Sequence, residues 1–152
     1  NFFAVSALTK LVLPKMLEKG EGQFVVMSSL VGKFGSPLRS AYAASKHALH
    51  GYYESLRAET HEQGIRVLIV CPGFIKTNIS LNALTSTGEK QNKMDNKQAQ
   101  GMLPEVLAQK IIQAVKRQKE EIAVGGSEKY GILVKRFFPR LFSRIIKKIK
   151  VT

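Results

Sequence analysis

Two short apolar runs, Gln23 to Ser28 and Ile65 to Val70, constrain this chain more than any other feature. Both are rich in β-branched residues and continuous rather than alternating, which predicts strands buried on both faces. Between them Ser40 to Gln63 is a long helix-forming stretch closed by Gly64, and Gly32, Gly35, Ser36 and Pro37 mark a loop ahead of it. Before the first run, Phe2, Phe3, Val5, Leu8, Leu11, Val12 and Met16 recur at helical spacing and predict a buried helix ending near Gly20. Pro104 suits the first turn of a helix reaching about Gln118, and Ile122 to Val124 predicts a third short strand before Gly125 and Gly126. Strand and helix alternate, so the class is α/β with a parallel sheet.

With 152 residues, 44% of them hydrophobic and 23% charged, the chain can bury a core without staples. Its single cysteine, Cys71, precedes Pro72 at a strand end and reads as core, with no disulfide framework and no metal site. His47, His50 and His61 lack the spacing of a ligand set and are expected in packing or surface roles, and Glu54, Arg57 and Glu59 as a solvated helix face with local pairs. No apolar run approaches the roughly 20 residues of a bilayer span, so a cytoplasmic protein is expected. The net charge of +13 is uneven, for no acid follows Glu128 while eight bases do. Basicity concentrated in a tail argues against a general nucleic-acid surface.

Three features carry chemistry. Ser28 and Ser29 stand at one strand end, Tyr42 and Lys46 follow thirteen and seventeen residues after Ser29, and Pro72-Gly73 stands at the next strand end. Open α/β sheets bind ligands at the carboxyl ends of their strands, where Ser29 and Pro72-Gly73 both fall. Tyr42 and Lys46, four apart, share one helix face. A phenol with a pKa of about 10 is a poor base at neutral pH, and a fixed ammonium favours its ionised form. At ~4 Å and an effective dielectric of ~20 the attraction is about 4 kcal/mol. Such a phenol can exchange a proton with an alcohol or carbonyl while the Ser29 hydroxyl holds the same oxygen.

The runs Val25 to Lys33, Tyr42-Ala43-Ala44-Ser45-Lys46-His47-Ala48-Leu49 and Pro72-Gly73-Phe74-Ile75-Lys76-Thr77 resemble the short-chain dehydrogenases/reductases. Ser28 to Glu59 looks closest to the branch containing dehydrogenase/reductase member 7B and the 11-beta-hydroxysteroid dehydrogenases. The resemblance implies the second half of a doubly wound, Rossmann-like parallel sheet over residues 1–128, followed by a basic tail over 129–152. It implies an NAD(P)(H)-dependent oxidoreductase interconverting a secondary alcohol and a ketone on a small lipophilic substrate, with NADP(H) favoured, working as a homo-oligomer. Tyr42 would be the general acid/base, Lys46 its electrostatic partner and a ligand of the nicotinamide ribose, and Ser29 the group positioning the substrate oxygen. Asn1 would anchor a water in the proton relay. Pro72, Gly73, Ile75 and Thr77 would line the nicotinamide, the Ile75 backbone and Thr77 hydroxyl meeting its carboxamide, and Thr77 to Leu103 would form the substrate lid.

The family's glycine-rich turn, its cofactor-choosing residue and its Asn-Asn-Ala-Gly strand end are absent from the sequence, where only Gly20-Glu21-Gly22 and Gly125-Gly126 come near such a turn. The chain therefore reads as a piece lacking about a hundred residues at its amino end, inactive by itself. The alternative is a truncated, non-catalytic module that binds a membrane surface or a partner through its tail. From Pro139 a helix would set Leu141, Phe142, Ile145, Ile146 and Ile149 on one side and Arg140, Arg144, Lys147, Lys148 and Lys150 on the other. That stripe suits an anionic membrane, to which the protein would be peripheral, or else packing on the domain itself or a second subunit.

Overall fold

The computed structural model describes residues 1–77 and 96–149. Strands β1 (Gly22–Met27), β2 (Ile65–Pro72) and β3 (Glu121–Val124) form a parallel sheet in the order β1-β2-β3. The register runs from Gly22 opposite Ile65 to Met27 opposite Val70, and from Ile69 opposite Glu121 to Pro72 opposite Val124. Helix α1 (Phe3–Lys19) precedes β1, α2 (Ser40–Thr60) crosses from β1 to β2, and the short α3 (Asn96–Ala99) and longer α4 (Pro104–Lys116) lie between β2 and β3. Two short helices, α5 (Gly131–Phe137) and α6 (Pro139–Ile146), follow β3.

Side chains alternate across β2, and that alternation divides the core in two. Val67, Ile69 and Cys71 point into a cluster with Leu49, Tyr53 and Leu56 of α2, closed by Phe2, Val5 and Leu13 from the first helix and by Ile132, Phe142 and Ile146 from α5 and α6. Leu68 and Val70 point the other way, onto Leu107 and Ala114 of α4 and Val124 of β3. Leu68, Ile69, Val70 and Cys71 are all fully buried. Burying each aliphatic side chain among them stabilises the fold by about 1.5–3 kcal/mol.

Expectation and structure part at three places. β2 is covered on both faces as its sequence predicts, but β1 is not: Val26 is buried while Val25 and Met27 are 41% and 42% exposed. α4 reaches under β2 and β3 only, and no described element lies beneath β1. The predicted first helix forms and ends on left-handed Gly20, yet it is not buried. Thr9 is its one buried residue, bonded to the Tyr53 hydroxyl at 2.5 Å, while Phe3, Leu8 and Leu11 face outward. The third concerns Arg57, whose guanidinium pairs across the fold with Glu120 at 3.0 Å instead of locally. The predicted lid over 77–103 lies largely outside the described residues; its end returns as Met102, bridged in parallel to Ile75.

Two glycines with positive φ separate conformation from crowding. Gly20 (φ 69) caps α1 with open space around its α-carbon, whereas a Cβ on Gly64 (φ 75) would run into the Gly20 carbonyl oxygen. Gly20→Ala should therefore cost about 1–2 kcal/mol, the ordinary penalty of a left-handed alanine, and Gly64→Ala clearly more. Urea-unfolding midpoints of the two variants check this, and equal losses would mean that the Gly20 carbonyl gives way freely.

Candidate functional site

The carboxyl end of β1 is tied to α2 and β2 by three successive residues. The Met27 carbonyl accepts a hydrogen bond from Lys46 Nζ at 2.7 Å. Ser28 receives more partners: its amide donates to the Val70 carbonyl at 2.8 Å, and its hydroxyl meets His50 Nε2 at 3.0 Å and the Lys46 carbonyl at 3.3 Å. Ser29 caps a 3-10 turn over Leu30–Gly32 through the Val31 amide, and its hydroxyl reaches the Pro72 carbonyl at 3.5 Å. Buried Gly32 packs against this junction, where a Cβ would strike the Ser28 hydroxyl.

Tyr42 and Lys46 share one face of α2 as their spacing predicts, with the ammonium 5.8 Å from the phenol ring centroid. Lys46 is half-buried, and this burial lowers its pKa from the ordinary value. Asn1 lies ahead of the first turn of α1 and shares an open cleft of about 510 Å³ with Tyr42, Phe2, Phe3 and Ser45. Four residues before Tyr42, exposed Leu38 holds a left-handed backbone (φ 60), which costs a branched residue of order 1–3 kcal/mol.

Pro72 ends β2, and Gly73 donates its amide to the Val124 carbonyl at 2.7 Å. The turn rests on Glu128, whose carboxylate accepts from the amides of Gly126 at 3.1 Å and Phe74 at 3.4 Å and fills the space a Gly73 Cβ would need. The Ile75–Met102 bridge uses the Phe74 carbonyl and Lys76 amide, so the peptide groups of Ile75 itself take no part in it. Thr77 accepts a hydrogen bond from the Gln98 side chain at 3.1 Å. The residues expected around a nicotinamide thus stand at adjacent strand ends, with an amide and carbonyl at Ile75 outside the bridge and a half-buried ammonium at Lys46. These features fit the nicotinamide and ribose portion of such a cofactor; nothing among the described residues forms a glycine-rich cradle for its phosphates.

Sequence reasoning missed what lies behind this site. His50, expected in a packing or surface role, is buried between the hydroxyl of Ser28, the Cys71 sulfur at 3.6 Å and two carboxylates. Its Nδ1 lies 3.5 Å from Glu121 and 3.6 Å from Glu54, too long for well-formed hydrogen bonds but close enough for ion pairing. Lys33 pairs with the same Glu121 oxygen at 2.5 Å. The signal available was the step of four from Lys46 to His50, which puts both on one helix face. Burial, reinforced by the charge of Glu121, pushes the Cys71 thiol up to about 12, so it is inert. Burial also presses the Glu121 carboxyl upward, but the neighbouring His50 and Lys33 outweigh it and hold its pKa below the ordinary 4.5.

Comparison with known proteins agrees with the geometry. The family described as short chain dehydrogenase matches residues 1–87. Dehydrogenase/reductase SDR family member 7B of Danio rerio is 41% identical over 147 residues, covering 96% of this chain and 48% of that protein. Among solved structures, a short-chain dehydrogenase from Streptomyces avermitilis is 27% identical with a TM-score of 0.66, covering 95% of this chain and 56% of the other. One from Burkholderia cenocepacia, solved in complex with NADP, has a TM-score of 0.78 at 18% identity, covering 98% of this chain and 56% of the other. The chain belongs to the short-chain dehydrogenase family, whose members are nicotinamide-dependent oxidoreductases, and its fold is an α/β, Rossmann-like sheet. It spans about half the length of the curated relatives it matches.

The depressed Glu121 pKa has a stability consequence. A carboxylate with a lowered folded pKa contributes stability that is fully present above its unfolded value, near 4.5, and is lost as pH falls through the folded value. Glu121→Gln should be less stable than the parent at about pH 7, and the gap should close below about pH 4. Urea unfolding at the two pH values measures it; a gap independent of pH would remove Glu121 from the acid limb.

Proposed function

We propose that this chain is the catalytic half of an NAD(P)(H)-dependent oxidoreductase interconverting a secondary alcohol and a ketone. The observation that carries the reading is the anchoring of Lys46 to the Met27 carbonyl, two residues before Ser29, with Tyr42 one turn earlier on the same helix. When bound, the nicotinamide supplies or accepts the hydride. Tyr42 exchanges the proton at the substrate oxygen, Ser29 donates a hydrogen bond to that oxygen, and the Lys46 ammonium, 5.8 Å from the phenol ring centroid, is its electrostatic partner and binds ribose hydroxyls. Asn1, in the cleft beside Tyr42, holds a water for proton return. Pro72, Gly73, Ile75 and Thr77 receive the nicotinamide, with the Ile75 peptide groups meeting its carboxamide. NADP(H) is favoured, as in the Burkholderia cenocepacia neighbour. A lipophilic substrate is supported by the exposed apolar side chains of Leu38, Phe74 and Leu103 around these strand ends. The second reading is a non-catalytic module that binds a membrane surface or a partner through its basic tail, supported by the run of eight bases with no acid after Glu128.

Two experiments test the proposal, and the second also separates it from the module reading. Titrating the 152-residue chain with NADPH and NADH should show no tight binding, since the phosphate cradle is not in it. Micromolar affinity would mean that a phosphate cradle matters little for binding.

Joined to a glycine-rich amino-terminal half from a relative, the chain should reduce lipophilic ketones, and Tyr42→Phe should lower kcat by at least about 10²-fold with the fold intact. Lys46→Ala should weaken both cofactor binding and rate, and Ser29→Ala rate more than cofactor binding. A joined protein that binds NADPH but never turns over supports the module reading. A Tyr42→Phe variant retaining more than a small share of activity removes Tyr42 from the acid/base role.

A further inference from the structure

The tail stripe read from the sequence is divided by the structure. Phe142 and Ile146 turn inward: Phe142 meets Phe34 edge to face at 5.2 Å, and both join the core with Ile132. Lys135 fastens the preceding helix by donating to the Lys33 carbonyl at 2.6 Å. What stays outside is a second apolar set, Leu133, Phe137, Phe138, Leu141 and Ile145, from 44% to 64% exposed. At 100° per residue Leu141 and Ile145 fall within an arc of about 40° on α6, with Phe138 at its N-cap. Arg144 and Lys148 lie along the outer border of that arc, and Arg136 stands over the Phe137 ring at 6.0 Å. No acid occurs from Lys129 onward.

We propose that this outer face of α5 and α6 docks on an anionic lipid bilayer, independently of any catalysis. Core contacts of Phe142 and Ile146 pre-form the face, so binding does not have to order it. Exposed Phe, Leu and Ile side chains enter the boundary between headgroups and acyl chains, while Arg136, Arg140, Arg144 and Lys148 meet lipid phosphates and carboxylates. Single-sign charge decides between occupants. Two copies apposed through this face would bring Arg136, Arg144 and Lys148 against the same three, with no acid from Lys129 onward to offset them. A nucleic acid would satisfy the bases but leave the aliphatic side chains in water. Among the described residues no helix is long and apolar enough to cross a membrane, so contact is with the surface.

The test uses the 152-residue chain, which has no tryptophan, so Phe138→Trp adds a single reporter on the proposed face. Vesicles of phosphatidylcholine with phosphatidylserine should sediment the chain and shift that emission to the blue at low salt. High salt, or phosphatidylcholine alone, should abolish both effects. Leu141→Asp with Ile145→Asp should lower the vesicle partition constant by about tenfold or more, as should Arg140→Gln with Arg144→Gln. Leu8→Asp, on the exposed side of α1, should leave it unchanged. Far-UV circular dichroism confirms that each variant is folded. The proposal is overturned if the chain stays in the supernatant at low salt, or if the emission of the introduced tryptophan is unmoved when the Phe138→Trp variant sediments. It also fails if Leu8→Asp matters as much as the Leu141 and Ile145 pair, or if that pair converts a dimer to a monomer in sedimentation without lipid.

Discussion

Everything at the strand ends depends on a short stretch of backbone, the Met27–Ser28 peptide group at the end of β1 and the turn that follows. Left bare, the amide of buried Ser28 would cost about 1–3 kcal/mol, whereas the Met27 carbonyl lies at the exposed margin of the core. Lys46 and the Val70 carbonyl satisfy them, and in doing so fix the height of α2 against the sheet. A helix seated this way presents Tyr42 one turn before Lys46 and His50 one turn after it, at set positions along the strand end. The half-burial of Lys46 is part of the same contact, so the feature that anchors the helix also makes its ammonium less costly to deprotonate.

Much of this was legible in the sequence where the signal was local. The β-branched runs, the Gly64 stop, Pro104 at a helix start and the Tyr42–Lys46 spacing each encode a local backbone preference, and each appears in the structure. Burial was legible only where cover is local too. β2 has helices on both sides, but an equally apolar β1 lies where α4 does not reach. Apolar periodicity states that a face avoids water, not what covers it, so the outward Phe3, Leu8 and Leu11 of α1 were misread as core. Partners distant in sequence were invisible for the same reason. Arg57 finds Glu120, and Glu128 finds the amide beyond Gly73, through the parallel register of β2 and β3, which no spacing along one segment records.

The polar cluster behind the site shows how ionisable side chains can be buried at strand ends without disrupting them. Glu121 and Lys33 compensate each other, and His50, the neutral thiol of Cys71 and the hydroxyl of Ser28 complete the enclosure. Removing one charged member would leave another uncompensated, which costs more than the ion pair itself is worth. The group therefore behaves as a unit, and it links the end of β1 to the start of β3 by way of α2.

The uncovered side of β1 determines how the chain behaves at concentration. Among the described residues β1 pairs only with β2, so apart from the Met27 carbonyl held by Lys46 its other edge is not paired with a strand, and Val25 and Met27 beside it face water. Pro, charged or bulged residues, which commonly blunt such edges, do not occur within Gly22–Met27. A β-rich segment with a free edge is a template for any extended chain, including another copy of itself. Solubility of this polypeptide is then a competition between a self-templating edge and the mutual repulsion of thirteen net positive charges, and salt, by screening the repulsion, tips it toward association.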